Sequence, residues 1–350
     1  MDTLIQFHRK HGALLDEYEE CGLPIRYGSR LDEEIQTLLE GAGIFEASSC
    51  LLITVLGPDA LEFLQGMVTS NVKTLEPGQV QASLLCGSRG KIQHRVEVIR
   101  IAGEQWIVSC APGEGILVGR TFDSFHIRED LELGVLNQKK IRIDIIGPES
   151  AQVLQSLGFK SEEHSWNFRS QEMLSISSPL VEIPHLINLV PLDASIEFME
   201  ELLGEDQTGL VGQEALGELL THLGLPRFGI DYGTDHFPQE ASLGDHISYD
   251  KGCYVGQEPH ARMYHRGHPN RILVGLMVPE RAGKPSIGAD LYLNSEQAGQ
   301  LTSLSSIRKD GICRGIGMIR HSASKTGMPL TLEPGSRIMI EQWPLLYAIK

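Results

Sequence analysis

Several things are missing from this 350-residue chain. It has no Cys-x-x-Cys pair and no apolar run near the roughly 18 residues of a membrane helix, and its first residues are not expected to form a secretory leader. Its six cysteines, Cys21, Cys50, Cys86, Cys110, Cys253 and Cys313, are too sparse for a disulfide scaffold. Free thiols in a reducing compartment are expected, and zinc ribbons or clusters held by local cysteine pairs are not. The first residues, Met1-Asp2-Thr3-Leu4-Ile5-Gln6-Phe7-His8-Arg9, offer no small-residue cleavage site, which points to the cytoplasm. Positive charge is also short. Lys and Arg number 30 against 46 Asp and Glu, a net −16, so no direct nucleic-acid or membrane partner is expected. There is no Walker A loop and no His-Glu-x-x-His. The glycines of Gly113-Glu114-Gly115-Ile116-Leu117-Val118-Gly119 miss dinucleotide-binding spacing by one residue.

What is present reads as an ordinary globular chain, 41% hydrophobic, long enough for two or three domains. Leu4, Phe7, His11, Leu14, Leu15 and Tyr18 recur at helical spacing and predict an amphipathic N-terminal helix. A second helix is expected over residues 30–40, capped by Ser29 and ended by Gly41 or Gly43. Then a unit repeats. Leu51–Leu56, Lys140–Ile146 and Leu186–Val190 read as strands. They are followed by Gly57-Pro58-Asp59, Gly147-Pro148-Glu149 and Pro191-Leu192-Asp193, each opening a helix. Proline near a first helical turn gives up no hydrogen bond, and an acid suits the positive helix end. The repeats predict related α+β lobes with a break near residue 140. Strands are also expected at Gln81–Leu85, Gln93–Ile101 and Trp106–Ser109. Beyond about residue 270, short apolar runs (Ile272–Val278, Leu291–Leu293, Ile316–Ile319, Ile338–Ile340) alternate with turn residues and predict a C-terminal antiparallel β-barrel.

Residues Phe237 to Arg271 carry weak secondary-structure signals but many functional residue types. From Lys251 to Arg271 there are four cations, Lys251, Arg262, Arg266 and Arg271, against one anion, Glu258. Such an island in an acidic chain suits a small anionic ligand, or else a salt-bridged loop. Cys253 lies between Gly252 and Gly256, which allow a thiol to be presented on an exposed loop. The competing expectation is an inert buried thiol. Zinc at Cys253, His260, His265 and His268 matches no familiar ligand spacing, and no bound metal is expected. Tyr249, Tyr254 and Tyr264 could stack on a flat heterocycle or serve packing.

The ordered set Gly224-Leu225-Pro226-Arg227-Phe228-Gly229-Ile230-Asp231, Phe237-Pro238-Gln239-Glu240-Ala241, Lys251-Gly252-Cys253-Tyr254-Val255-Gly256-Gln257-Glu258 and Ala261-Arg262 resembles the signature of the YgfZ/GcvT-like folate-binding proteins, and of their YgfZ branch in particular. Phe63 to Val72, Gly90-Lys91-Ile92, Gly299 to Ser303 and Gly315 to Gly317 resemble further motifs, so the likeness spans about residues 45 to 345. It implies an α+β fold of two lobes around a central pocket, shared with the glycine cleavage aminomethyltransferase, plus the C-terminal barrel. The implied organisation is an N-terminal helical segment at 1–44, a folate-binding module at 45–266 and the barrel at 267–350. It also implies binding of tetrahydrofolate or a derivative, and a role in building or repairing iron–sulfur enzymes, among them tRNA-modifying ones. Cys253 is the implied functional residue. Thr69, Asn71, Lys91, Lys251, Tyr254, Gln257, Glu258, Arg262 and Arg266 are the implied ligand contacts.

The chain departs from the aminomethyltransferases where His94 and Arg95 stand in place of an acid, and where Glu182-Ile183-Pro184-His185 replaces a Gly-Glu-Asp-Gly stretch. Leu220-Thr221-His222-Leu223-Gly224 replaces Arg-x-Glu-x-Gly. An accessory role in iron–sulfur assembly is therefore the leading expectation. Tetrahydrofolate-dependent aminomethyl transfer is the alternative, and it requires an acid from elsewhere, such as Glu97 or Asp144.

Overall fold

The computed structural model describes residues 2–16, 23–161, 165–167, 173–178, 183–325, 328–334, 339–343 and 345. The expectations placed on Tyr18, Cys21, Glu182 and Ile338 lie outside these residues. The chain divides into two compact units. The first holds residues 1–64, 72–82 and 96–216, the second residues 65–71, 83–95 and 217–350.

The chain opens with α1 (Asp2–Lys10), β1 (Ala13–Leu15), β2 (Pro24–Tyr27), α2 (Leu31–Glu40) and β3 (Ala42–Glu46). There follow β4 (Leu52–Leu56), α3 (Ala60–Met67), β5 (Val80–Cys86), β6 (Ile92–Ala102), β7 (Gln105–Cys110), α4 (Gly115–Phe125), β8 (Glu132–Val135) and β9 (Lys140–Ile146). Next are α5 (Ser150–Ser156), β10 (Lys160–Ser161), β11 (Ser165–Asn167), β12 (Leu174–Ser177), β13 (His185–Pro191), α6 (Ser195–Leu203) and β14 (Thr208–Leu210). The remaining elements are α7 (Gln213–Leu223), α8 (Gln257–Arg266), β15 (Arg271–Pro279), β16 (Asp290–Leu293), β17 (Glu296–Lys309), β18 (Ile312–Arg320) and β19 (Glu341–Trp343).

The first unit holds one sheet whole and most of another. One runs β10-β11-β12-β13-β9-β3-β14, antiparallel except for the parallel pair β3–β14. The other runs β5-β6-β7-β4-β8. Strands β9 and β13 are buried almost throughout, so both their faces meet other layers. Period-two alternation sends Ile141, Ile143 and Ile145 of β9 to one face, where they join Leu4 and Phe7 of α1, Val153 and Leu154 of α5, and Phe198, Met199 and Leu202 of α6. The opposite face carries Ile176, Ile187 and Leu189 onto Leu52, Ile99 and Ile107 of the second sheet. Phe63 of α3 meets Phe122 of α4 edge to face, ring centroids 5.6 Å apart.

The strand-turn-helix repeats form as expected. Gly57 (φ +132°) and Gly147 (φ +134°) take the same left-handed backbone before their prolines, where a Cβ would collide with the carbonyls of Asp130 and Gly41. Two helical expectations change. The N-terminal helix stops at Lys10 because Gly12 turns the chain at φ +75°, which puts Leu14 and Leu15 in β1. The second helix is preceded by Arg30 rather than capped by Ser29. Arg30 pairs with Asp32 and Glu33 instead of capping the backbone with its side chain.

In the second unit, β16-β17-β18-β15-β19 form an antiparallel sheet over Val274, Leu276, Val278, Leu291, Leu301 and Ile319. The expected C-terminal barrel is not closed among the described residues. Its last strand spans only Glu341–Trp343, and the further pairings are single bridges, Tyr292 to Thr331 and Leu330 to Ile340. The stretch with weak secondary-structure signals contains α8, which begins after Gly256 in the left-handed region (φ +83°). Among the described residues no helix is long and apolar enough to cross a membrane.

Candidate functional site

The residues nominated for the site gather mostly in the second unit, around Cys253. Its thiol is exposed, but the chain on either side of it is tied down. Lys251 is buried, and its ammonium donates to the carbonyls of Val68 and Ser70, each at 2.7 Å. It also lies 5.1 Å from the centre of the Tyr254 ring. The Val255 amide donates to Gly66 O at 3.2 Å, and the Ser248 amide to Thr69 O at 2.9 Å. Thr69 is fully buried. Its hydroxyl donates to His246 O at 2.6 Å and accepts the Leu84 amide at 3.1 Å. Asn71 accepts from Gln65 at 3.0 Å.

His260 is buried on α8. Its Nε2 lies 2.7 Å from Gly90 O and its Nδ1 3.0 Å from the Tyr254 hydroxyl. A carbonyl only accepts, so Nε2 carries the proton and Nδ1 receives the tyrosine O–H. Burial lowers the His260 pKa in spite of the Gly90 carbonyl, keeping the ring neutral. Burial likewise pushes the Tyr254 phenol upward. Tyr249 and Tyr264 stack on each other, centroids 3.9 Å apart and planes 15° apart.

Of the other expected cations, Arg262 and Lys91 are engaged locally. Arg262 pairs with Glu258 one turn earlier on α8 at 3.0 Å, both exposed. Lys91 donates to Asp235 O at 2.5 Å, sits 4.1 Å over the Phe237 ring and lies 3.8 Å from Glu240. Gln257 opens α8, its amide donating to Tyr254 O at 3.2 Å, and Arg266 is exposed in the last turn. Among the described residues no group of three His, Cys, Asp or Glu could hold a metal ion.

The first unit holds a buried ionic cluster that sequence reasoning touched only through Glu97 and Asp144. Arg142 Nε and Nη2 meet the two Asp144 oxygens at 2.7 Å each. Its Nη1 reaches Glu97 at 2.5 Å and Ser109 Oγ at 2.8 Å. His185 Nε2 lies 3.0 Å from Asp144 Oδ2. Burial alone would push the Asp144 carboxyl up. The Arg142 charge and His185 overcome it and hold the group at about 2. Burial opposes the Arg142 charge too, yet its two carboxylates raise it well above its usual value.

The sequence signal for this cluster was two polar residues, Arg142 and Asp144, at alternate positions in a strand of isoleucines. Cross-strand partners place Leu189 opposite Arg142 and Ile187 opposite Asp144, so the charges border the apolar layer between the sheets.

The model of the GCVT N-terminal domain matches residues 4–180, just over half the chain. The protein belongs to that family. An aminomethyltransferase of Halothermothrix orenii is 26% identical over 345 residues, covering 94% of each chain. One from Symbiobacterium thermophilum is 27% identical over 345 residues, covering 92% of this chain and 90% of its own. The crystal structure of the glycine cleavage system aminomethyltransferase T from Bartonella henselae covers 99% of this chain and 97% of its own. Its TM-score is 0.85 at 23% identity, which establishes the shared α+β fold.

Within this GCVT-domain protein Cys253 is exposed, while Cys86 and Cys110 are buried and Cys50 is partly so. Burial pushes Cys50, Cys86 and Cys110 each up to about 12, which makes them poor nucleophiles.

Proposed function

We propose that the protein binds tetrahydrofolate or a derivative and handles the one-carbon unit it carries, in the manner of an aminomethyltransferase. The observation that carries this reading is the buried cluster of the first unit. The alternative needed an acid in place of those replaced by His94 and Arg95, and Glu97 and Asp144 are gathered around Arg142. Two carboxylates surround one guanidinium, with His185 beside Asp144, next to Leu52, Ile99, Ile107, Ile187 and Leu189. Among the described residues, the buried His185 Nδ1 has no hydrogen-bond partner.

Those groups fit a flat heterocycle with apolar faces and N–H donors along its edge. Glu97 and Asp144 would accept from that edge. Bound tetrahydrofolate would supply the nitrogens that carry the one-carbon unit. The chain's own contribution is a carboxylate kept ionised at neutral pH. We assign the folate-binding module to residues 45–266. The similarity to aminomethyltransferases over nearly the whole chain supports the reading.

A second reading is a YgfZ-like accessory role for iron–sulfur enzymes such as those that modify tRNA. One observation favours it: Cys253 is exposed within Lys251–Glu258, while Cys86 and Cys110 are buried.

One set of variants separates the two. Purified protein is assayed for transfer from a methylene-carrying substrate to tetrahydrofolate, and the same variants are scored in cells lacking the chain for the activity of a cluster-dependent tRNA-modifying enzyme. The first reading expects turnover in the wild type and a loss of about 100-fold in Asp144→Asn. Absence of turnover, with no thermal shift on adding any folate, overturns it. The second expects Cys253→Ala to abolish rescue, and equal rescue overturns it.

A further inference from the structure

We propose that Lys251 is a positioning residue, whose buried ammonium ties the Cys253 segment to the 66–71 segment so that an exposed thiol is held at a fixed place. The inference rests on the second reading above, in which Cys253 is the working group.

An exposed cysteine on a glycine-flanked loop would ordinarily sample many positions. This one does not have that freedom. The chain is bonded before it by the Ser248 amide to Thr69 O and by Lys251 to the carbonyls of Val68 and Ser70. It is bonded after it by the Val255 amide to Gly66 O and by the Tyr254 hydroxyl to His260, which in turn holds Gly90 O. Gly256 closes the segment in a left-handed conformation, where a Cβ would strike the Gly87 carbonyl.

Lysine suits the central tie for a physical reason. Its three tetrahedral donors can reach two converging carbonyls while the same ammonium lies 5.1 Å from the centre of the Tyr254 ring. Bonds from a charged donor are roughly twice as strong as neutral ones. Two anchors before the thiol and two after it leave Sγ exposed with little backbone freedom. The entropy of holding a reacting group in place is then met by the fold rather than at the moment of encounter.

The test uses the full chain with Lys251→Met, and with Lys251→Gln should the first variant fail to fold. Three readings are taken: amide hydrogen exchange, iodoacetamide labelling of each cysteine mapped by mass spectrometry, and rescue of cluster-dependent tRNA modification. The Ser248 and Val255 amides are expected to exchange at least about tenfold faster, while the strand amides of β15 and β18 are unchanged. Cys86 and Cys110 stay protected, Cys253 still labels, and rescue falls by about tenfold or more.

Unchanged exchange at Ser248 and Val255 overturns the proposal. So does full rescue by a variant in which that exchange has risen. Full rescue by Cys253→Ala instead removes the reading on which it rests, so the two failures are told apart.

Discussion

Arg142 and Lys251 are both buried cations in an acidic protein, and the fold accommodates them by different means. Arg142 spends its planar fork on two carboxylates and a serine hydroxyl. Lys251 aims a compact ammonium at two main-chain carbonyls. A guanidinium matches a carboxylate with two parallel bonds, whereas an ammonium can gather carbonyls from a turn. The partners differ in what they leave behind when the cation is lost. Removing Arg142 strands the buried Asp144 carboxylate and the partly buried Glu97 carboxylate. Removing Lys251 strands two neutral acceptors, which costs roughly 1–3 kcal/mol apiece at most.

The largest effect is therefore expected at Arg142. Arg142→Leu should cost about 3–5 kcal/mol in chemical denaturation, because Glu97 and Asp144 remain ionised without a counter-charge. Replacing the set together, Glu97→Leu with Arg142→Leu and Asp144→Leu, should recover most of that loss. If the triple variant is as unstable as the single one, the loss is one of packing, and the contrast with Lys251 fails.

A smaller effect sharpens the same contrast through pH. The Asp144 carboxyl is held at about 2 against an ordinary 3.8. Its folded value lies below its unfolded value, so its contribution is fully present above about pH 4 and is lost as pH falls toward 2. The shift corresponds to about 2 kcal/mol. Wild type should lose that much stability across this window, and Asp144→Asn should show a flatter acid limb. Parallel acid limbs in the two proteins would assign the drop to other carboxylates.

Much of the fold was legible because its signals are local. The repeated strand, Gly-Pro-acid turn and helix could be read at residues 51–64 and 140–154. Both glycines proved to need a backbone that only glycine adopts easily. Helix α8 was missed for the opposite reason. Its sequence, Gln257 to Arg266, buries only His260, so it shows no apolar stripe. The terminal signals were nevertheless there: a left-handed glycine before it, Glu258 and Pro259 in the first turn, His265 and Arg266 in the last.

The site was legible in part. Glycines around Cys253 foretold its exposure. The partners of Lys251 could not be foretold, because they are carbonyls of residues some 180 positions away, and a carbonyl leaves no mark on sequence. The Arg142 cluster is long-range in the same way. Glu97 and Ser109 come from β6 and β7, Arg142 and Asp144 from β9.

The smallest expected effect concerns His260, which shares the Cys253 segment with Lys251 but holds it as a neutral group. Burial lowers its pKa, so the folded state binds that proton less readily than the unfolded chain. Its contribution is present above the ordinary histidine value near 6.5 and declines as pH falls below it, toward the lower folded value. Protonation would put a second N–H against the Tyr254 hydroxyl, which then has to turn and accept. The Gly90 tie through Nε2 survives that change. Mild acid should therefore loosen the Tyr254 side of the segment before the Lys251 side. Hydrogen exchange at pH 5.5 and 7.5, with amide rates corrected for pH, checks this: protection at Val255 should fall at the lower pH while that at Ser248 holds. Equal loss at both amides would mean that the segment opens as one piece, and that neutral and charged anchors cannot be released separately.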